Sequence, residues 1–323
     1  MIKEYVLAAR GLLRVPTYLL MLLYYTVAFV GAGTKIEVWA YAAGALAIAA
    51  WYINATALND LSDFEIDRVN LRGDPDRPLL AGTLAKPQLL RLAVISGFAA
   101  LALVAPFGWR AETLLFALIV LNAAYSLPPV AVSRRGGLAL ALLPVGYVGL
   151  TMTLGALSAG VAFSWPPVVL IAICYVQFLA RISLKDYRDV VGDAKFGKRT
   201  FLLRHGSGAV TRLALMCHIA AGIGGAAWLY AGSPVRAAGY VFLAAVAGGF
   251  LARLPSAHGW QQQRILIASY GRIVSGQLTV ILLAVLVRTG YVRGHTQASL
   301  LLVLLVATFA WSAQRIARAR VLN

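Results

Sequence analysis

Apolar stretches of about 20 residues recur along the whole chain, and this feature most restricts what the chain can fold into. Crossing the hydrocarbon core of a membrane takes about 20 apolar residues in a helix. The stretches lie at about residues 16–33, 37–58, 89–107, 112–128, 138–159, 165–184, 208–231, 235–254, 272–289 and 296–313. Lipid offers no hydrogen-bond partners to the backbone, so such segments are expected to be helical. The sequence therefore predicts an all-α polytopic membrane protein, a bundle of about nine to ten transmembrane helices.

The composition agrees with this class of protein. Of the 323 residues, 60% are hydrophobic and only 13% are charged, whereas soluble domains carry about 25% charged residues. Disorder is excluded by the apolar content. The two cysteines, Cys174 and Cys217, lie inside apolar runs. Neither a disulfide framework nor a zinc site with paired cysteines is therefore expected.

The basic residues predict the orientation of the chain in the membrane. If the N-terminus is cytoplasmic, 24 of the 29 lysine and arginine residues fall in cytoplasmic segments, as the positive-inside rule requires. The formal net charge of +17 is then explained by orientation and by anionic membrane lipid. The basic segments are short loops, so nucleic acid is not an expected partner. We expect an integral, multi-pass protein with a cytoplasmic N-terminus, in which the entrance to any active site is cytoplasmic.

The acidic residues are concentrated in two clusters that have the same internal spacing. The clusters are Asp60, Asp63 and Asp67 and, 126 residues later, Asp186, Asp189 and Asp193. Because four predicted helices separate them, an internal duplication is plausible. The predicted organisation is one domain over residues 1–323, with two related four-helix repeats at about 16–135 and 138–254 around a central cavity. Further C-terminal helices are expected at about 265–313.

The spacing of each cluster indicates the chemistry that it supports. Residues at i, i+3 and i+7 share one face of a helix, where three carboxylates repel each other unless a cation intervenes. Mg²⁺ prefers oxygen ligands and binds through carboxylates together with substrate phosphate oxygens. Two such clusters with basic residues between them predict a magnesium-dependent diphosphate site. The alternative is that these are solvated loop charges.

Three ordered motifs contain or accompany these clusters. An NDxxDxxxD motif begins at Asn59 and is followed by an RPxxxG segment that begins at Arg77. A DxxDxxxD motif begins at Asp186, and a YSxPP segment begins at Tyr125. In these motifs and their order, the sequence resembles the UbiA superfamily of intramembrane prenyltransferases.

The resemblance implies roles for particular residues. Asn59, Asp63 and Asp67 would bind one Mg²⁺ ion and Asp186, Asp189 and Asp193 a second, with Asp60 as a further candidate ligand. Tyr125 and Ser126 would lie at the diphosphate or the reactive carbon, unless they are an ordinary interfacial aromatic and helix-terminal hydroxyl. The candidate cations for the diphosphate are Arg68, Arg77, Arg134, Arg135, Lys185 and Lys198. Arg77 is preferred because it belongs to a motif and because arginine binds phosphate at two points.

The implied function is Mg²⁺-dependent transfer of an isoprenyl group from an isoprenyl diphosphate to an aromatic or lipidic acceptor inside the membrane. A terpene cyclase on the same fold, acting without an acceptor, needs the same aspartates. An ion-coupled secondary transporter is a more distant alternative, because repeats and membrane-level carboxylates also occur in transporters. The sequence leaves the acceptor and the length of the prenyl chain open.

Overall fold

A computed structural model describes residues 2–33, 36–161 and 165–293, together with a few positions between 296 and 307. Within these residues the secondary structure is helical, and no strand occurs. The chain forms two compact units. The first consists of Met1–Phe163 and Asp189–Arg204, and the second of Ser164–Arg188 and His205–Asn323. The 16 residues Asp189–Arg204 therefore belong to the first unit, although the chain before and after them belongs to the second.

The α-helices follow one another along the chain with short connections. They are α1 (Ile2–Leu12), α2 (Val15–Gly31), α3 (Val38–Ser62), α4 (Phe64–Asn70), α5 (Lys86–Val104), α6 (Trp109–Ser126), α7 (Gly137–Pro144), α8 (Thr151–Ser158), α9 (Trp165–Ile182), α10 (Val190–Lys195), α11 (Phe201–Tyr230), α12 (Pro234–Ala252) and α13 (Gly259–Arg288). A π-helical segment, Val145–Leu150, joins α7 to α8. Within α11 the helix is kinked at Gly206, whose φ of 76° lies in the region that glycine adopts readily.

The first unit is built around α3, which packs against α2, α5, α6 and α8. Small residues on these helices allow close approach, and the buried Asn54 of α3 donates a hydrogen bond from Nδ2 to the Ala93 carbonyl of α5 at 2.9 Å. Gly97 leaves the room that this amide needs, because an added Cβ would lie 3.2 Å from Asn54 Nδ2. A buried aromatic cluster that includes Tyr25 and Trp51 fills the space between the helices. The end of α3, which carries the first aspartate motif, is thus held by the core of the unit.

The second unit contains α9, most of α11, α12 and α13. Ser233 begins α12 by accepting a hydrogen bond from the Arg236 amide, and Pro234 follows at the first turn, where its missing N–H is harmless. Polar side chains connect the helices in the interior. The amide of Gln177 on α9 donates to the Tyr240 hydroxyl and to Gln277 Oε1, both at 3.2 Å. Such buried polar contacts fix the register of helices in lipid.

Helices occur at nine of the ten predicted stretches, and the tenth, 296–313, lies mostly outside the described residues. Among the described residues, seven helical segments are long and apolar enough to cross a membrane, or eight if the bent pair α1 and α2 is one span. The predicted nine to ten spans are therefore not confirmed. α13 begins at Gly259 rather than near residue 272, because the helix continues into the polar sequence that precedes its apolar part. The two repeats, the single domain and the central cavity stay predictions.

Candidate functional site

The first aspartate motif lies where α3 ends and α4 begins. Asp63 breaks the helix with φ −97° and ψ 10°, yet its amide still donates to the Asn59 carbonyl, and the Asp67 amide donates to the Asp63 carbonyl. The chain therefore stays close to helical, and Asp60, Asp63 and Asp67 are all buried. The Asn59 side chain donates from Nδ2 to Asp63 Oδ2 at 3.1 Å. The structure thus brings these side chains together, and their predicted role as metal ligands stays a prediction.

Two arginines neutralise part of this carboxylate cluster. The buried Arg77 forms ion pairs with Asp60 and, at 3.0 Å, with Asp67. Arg14, which lies between α1 and α2, contacts the same Asp60 oxygen at 2.8 Å. Arg77 therefore links Asp60 to Asp67 within the first motif, and its predicted contact with phosphate stays a prediction.

The second motif reaches the first through α10, which packs against α4. Asn70, the last residue of α4, donates from Nδ2 to the Asp189 carbonyl at 3.0 Å and accepts the Gly192 amide at 2.6 Å. These two hydrogen bonds fix α10 against α4. Asp189 and Asp193 are thereby brought to the first motif, as the paired spacing predicted.

Lys198 lies between carboxylates of the two motifs. Its Nζ atom is 3.0 Å from Asp63 Oδ2 and 3.6 Å from Asp193 Oδ1, and its side chain is largely buried. A single cation thus links the two clusters. Its predicted contact with a diphosphate stays a prediction.

Burial and neighbouring carboxylates make the ionised state of Asp67 costly. Burial raises the pKa of Asp67 to about 6; the nearby Arg77 opposes the shift, and the carboxylates of Asp60, Asp63 and Asp189 add to it. Among the described residues, no donor reaches the buried Asp60 Oδ2 and Asp63 Oδ1 atoms. An oxygen-only set with unsatisfied carboxylate oxygens suits a hard divalent cation. Within the same residues, no three acidic, histidine or cysteine side chains converge as a ready-made metal centre.

The Tyr-Ser segment meets the first motif at the end of α6. The Ser62 hydroxyl, between two motif aspartates, donates to the Ser126 carbonyl at 2.6 Å. Ser126 is fully buried, and in the described part of the chain its own hydroxyl oxygen has no hydrogen-bond partner. The peptide bond between Pro128 and Pro129 is cis. The third motif therefore lies beside the aspartates, with an unsatisfied hydroxyl at Ser126.

The motifs and their arrangement agree with a match to a family model. Residues 19–269, which include all three motifs, match the model of the UbiA prenyltransferase family. This chain belongs to that family. The resemblance inferred from the motifs is confirmed.

Relatives named as a phytyltransferase and a phosphate synthase align with 56% and 67% of the chain. Homogentisate phytyltransferase of Synechocystis is 32% identical over 193 residues, which are 56% of this chain and 60% of that protein. Digeranylgeranylglyceryl phosphate synthase of Methanopyrus kandleri is 31% identical over 225 residues, 67% of this chain and 79% of that protein. The chain spans between about 42% and 60% of the length of the first curated relatives it matches.

A solved UbiA structure shares the fold. The UbiA homologue from Archaeoglobus fulgidus bound to GPP and Mg²⁺ superposes with a TM-score of 0.66 at 16% identity. The match covers 86% of this chain and 99% of that chain. Identity this low shows the fold alone.

Five other residues predicted for the site form other ion pairs or are exposed. Asp186 and Lys185 belong to the second unit, where they form an ion pair with each other. Arg68 is exposed and pairs with Glu65 at 3.2 Å. Arg134 and Arg135 are exposed as well. For all five, and for Tyr125, the predicted contacts with metal or diphosphate stay predictions.

Two residues of the site were missed by the sequence analysis. Arg14 was counted only among the basic residues that set orientation, and its pairing with Asp60 crosses 46 residues. Asn70 was not singled out at all, and its contacts cross 119 and 122 residues. Neither lies inside a motif, so no signal in the sequence pointed to them.

Replacing Gly192 by alanine is expected to loosen the contact between α10 and α4. An added Cβ would lie about 2.6 Å from atoms of the Asn70 amide, and this amide is held by two hydrogen bonds. We expect stability to fall by about 1 to 3 kcal/mol, measured as a lower thermal midpoint in detergent. Gly249→Ala is the control, because a Cβ there has open space. In a protein that already carries Asn70→Ala, Gly192→Ala should lower the thermal midpoint by less, because the clashing amide is gone. An equally large decrease would contradict the steric explanation.

Proposed function

We propose that this protein transfers an isoprenyl group from an isoprenyl diphosphate to a hydrophobic or aromatic acceptor inside the membrane. The observation that carries the proposal is Lys198 Nζ between Asp63 and Asp193, in a chain of the UbiA prenyltransferase family. Acids from two motifs and one shared cation form a site with the charge pattern that a diphosphate and its metal ions need. The apolar helices keep the reaction in a medium poor in water.

The donor set fits Mg²⁺, and two ions are proposed. Asn59, Asp63 and Asp67 would hold one ion, and Asp189 and Asp193 would contribute to the second. Asp60 is a weaker candidate because Arg14 and Arg77 share one of its oxygens. When bound, Mg²⁺ stabilises the negative charge of the departing diphosphate. Asp186, in the second unit, remains a proposed ligand on the basis of its motif.

The side chains of the first unit have separate proposed roles. Arg77 and Arg14 hold Asp60 and keep the first motif compact without metal. Lys198 exchanges its carboxylate contacts for diphosphate oxygens, because a cation already between both clusters needs little movement to do so. Stabilising a developing negative charge with preorganised cations is a major source of rate enhancement.

The third motif has a proposed role beside the reacting carbon. The Ser126 hydroxyl is buried and has no acceptor or donor among the described residues, so it is available to a substrate oxygen. Tyr125 precedes it at the end of α6, and an aromatic face there would stabilise an allylic cation. The entrance to the site is proposed to be cytoplasmic, because the basic residues favour that orientation.

The product assay tests the proposal directly. Purified protein with Mg²⁺ and a panel of isoprenyl diphosphates should give prenylated product, identified by mass spectrometry, only when a lipophilic acceptor is present. The acceptors follow the relatives: homogentisate for the phytyltransferase and a geranylgeranylglyceryl phosphate for the archaeal enzyme. Omission of Mg²⁺ should abolish the product.

Two outcomes would contradict the transferase proposal. A cyclic hydrocarbon formed without any acceptor would favour the terpene cyclase alternative. No consumption of any donor, in protein that retains its thermal midpoint, would reject both enzymes. Membership of the UbiA family gives no support to the transporter hypothesis.

A further inference from the structure

The last part of the chain has an unusual charge composition. The 119 residues of His205–Asn323 contain ten arginines but no lysine, aspartate or glutamate. The rest of the second unit, Ser164–Arg188, supplies a single acid, Asp186. Carboxylate side chains of the second unit therefore cannot neutralise most of its guanidinium groups. Any arginine there that is also buried needs another source of negative charge.

Arg236 is such a buried arginine. Its exposed fraction is only 9%, and it lies in the first turn of α12. Its Nη2 donates to the Gly232 carbonyl at 2.9 Å, and its Nη1 donates to Gln297 Oε1 at 3.3 Å. Among the described residues, no acceptor reaches the buried Nε atom. Both of these partners are neutral, so within the described residues dipoles and no carboxylate solvate its positive charge.

The position of Arg236 increases the need for an anion. A cation in the first turn of a helix is disfavoured by the helix dipole, and a buried charge without a counter-charge is costly. Asp186 lies near the opposite end of α11. Its neighbour Tyr187 donates a hydrogen bond to the Ser207 carbonyl near the start of that helix, whereas Arg236 follows the end of the helix at Tyr230. The length of that helix separates them by about 35 Å.

The surroundings indicate the depth of Arg236 in the membrane. α11 ends at Tyr230, which is exposed, and exposed tyrosines at the ends of apolar helices are typical of the lipid–water interface. Val235, next to Arg236, is exposed as well. The turn between α11 and α12 is thus expected at the level of lipid headgroups, where phosphate groups are abundant.

We propose that Arg236 binds the phosphate oxyanion of an anionic membrane lipid at the turn between α11 and α12. Arginine suits this ligand because its planar guanidinium donates two hydrogen bonds to phosphate oxygens. The phosphate would bind the edge of the guanidinium that carries Nε and one Nη atom. That Nη atom would then either give up its present hydrogen bond, to Gln297 or to Gly232, or donate to this partner and to the phosphate at the same time. The proposal does not rest on the proposed enzymatic function.

Native mass spectrometry of the purified full-length protein tests this site. The wild-type protein should retain phosphatidylglycerol in preference to phosphatidylcholine. Arg236→Gln should weaken phosphatidylglycerol binding by about tenfold, because a charge-assisted contact is lost. Arg288→Gln is the matched control, since Arg288 is an exposed arginine at the end of α13, and it should leave the affinity unchanged.

Further measurements distinguish the source of the phosphate and guard against misfolding. If inorganic phosphate or glycerol phosphate raises the thermal midpoint of the wild type as much as phosphatidylglycerol does, and Arg236→Gln removes the effect, the site takes soluble phosphate instead of lipid. If Arg236→Gln does not fold, Arg236→Lys replaces it and should bind more weakly, because it lacks the two-point contact. Equal retention of phosphatidylglycerol by the wild type and the Arg236 variant, or no preference for it in the wild type, would overturn the proposal.

Discussion

Asp63→Asn is expected to lower Mg²⁺-dependent prenyl transfer by about a hundredfold to a thousandfold, as the loss of one preorganised electrostatic group does in other active sites. Asp63 is buried, contacts Lys198 at 3.0 Å and accepts a hydrogen bond from Asn59. Asparagine keeps the shape of the side chain but removes the charge that a metal ion requires. The measurement is the initial rate of product formation over a range of Mg²⁺ concentrations.

Glu65→Gln is the matched control for this prediction. Glu65 lies two residues along the same segment, is 55% exposed and pairs only at the surface with Arg68. It should retain the wild-type rate. A second variant, Asp193→Asn, removes the carboxylate on the other side of Lys198, and its effect should not add to that of Asp63→Asn because the two groups act as a unit. Wild-type turnover by Asp63→Asn would reject the metal assignment.

Arg77→Met is expected to lower the free energy of unfolding by about 3 kcal/mol, the cost of leaving a buried carboxylate without its partner. Arg77 pairs with both Asp60 and Asp67, and its side chain is 7% exposed. Asp60 keeps its ion pair with Arg14, whereas Asp67 loses the only ion pair that it forms within the described residues. The measurement is the thermal midpoint in detergent, without Mg²⁺.

The control for Arg77→Met is Arg68→Met. Arg68 is 61% exposed and pairs with an exposed glutamate, so its removal should cost less than about 1 kcal/mol. Adding Asp67→Asn to Arg77→Met should restore part of the midpoint, because the unpaired charge is then gone. A midpoint equal to that of the wild type in Arg77→Met would show that these ion pairs do not stabilise the first unit.

The fold and the aspartate motifs were largely predictable because their signals are local. A run of about 20 apolar residues specifies a helix in lipid regardless of its neighbours. A spacing of i, i+3 and i+7 places carboxylates on one helix face regardless of the rest of the chain. Asp60, Asp63 and Asp67 are therefore together as expected, even though Asp63 interrupts the helix. The number of spans was less predictable, since helices such as α13 extend beyond their apolar part.

The partners of these carboxylates were decided by tertiary structure. Arg14 reaches Asp60 across 46 residues, Asn70 reaches Gly192 across 122, and Lys198 reaches Asp63 across 135. Sequence analysis placed both Lys198 and Arg77 among six candidate cations for the diphosphate, and those contacts stay predictions. The fold places Lys198 beside Asp63 and Asp193, and Arg77 beside Asp60 and Asp67. Ion pairing depends on distances of a few ångströms. Such distances follow from helix packing and from the return of Asp189–Arg204 to the first unit.

The sequence by itself thus determined that this is an apolar helical protein with two matched acidic motifs and the character of the UbiA family. It determined this because composition, periodicity and spacing act over a few turns of chain. Only the tertiary structure decided which cation pairs with which carboxylate. It also decided which buried oxygens have no donor among the described residues, and that Arg236 is buried with neutral partners there. Those properties depend on contacts between residues that are distant in the sequence. The sequence gives the chemistry of each side chain, but not the positions of two distant side chains relative to each other.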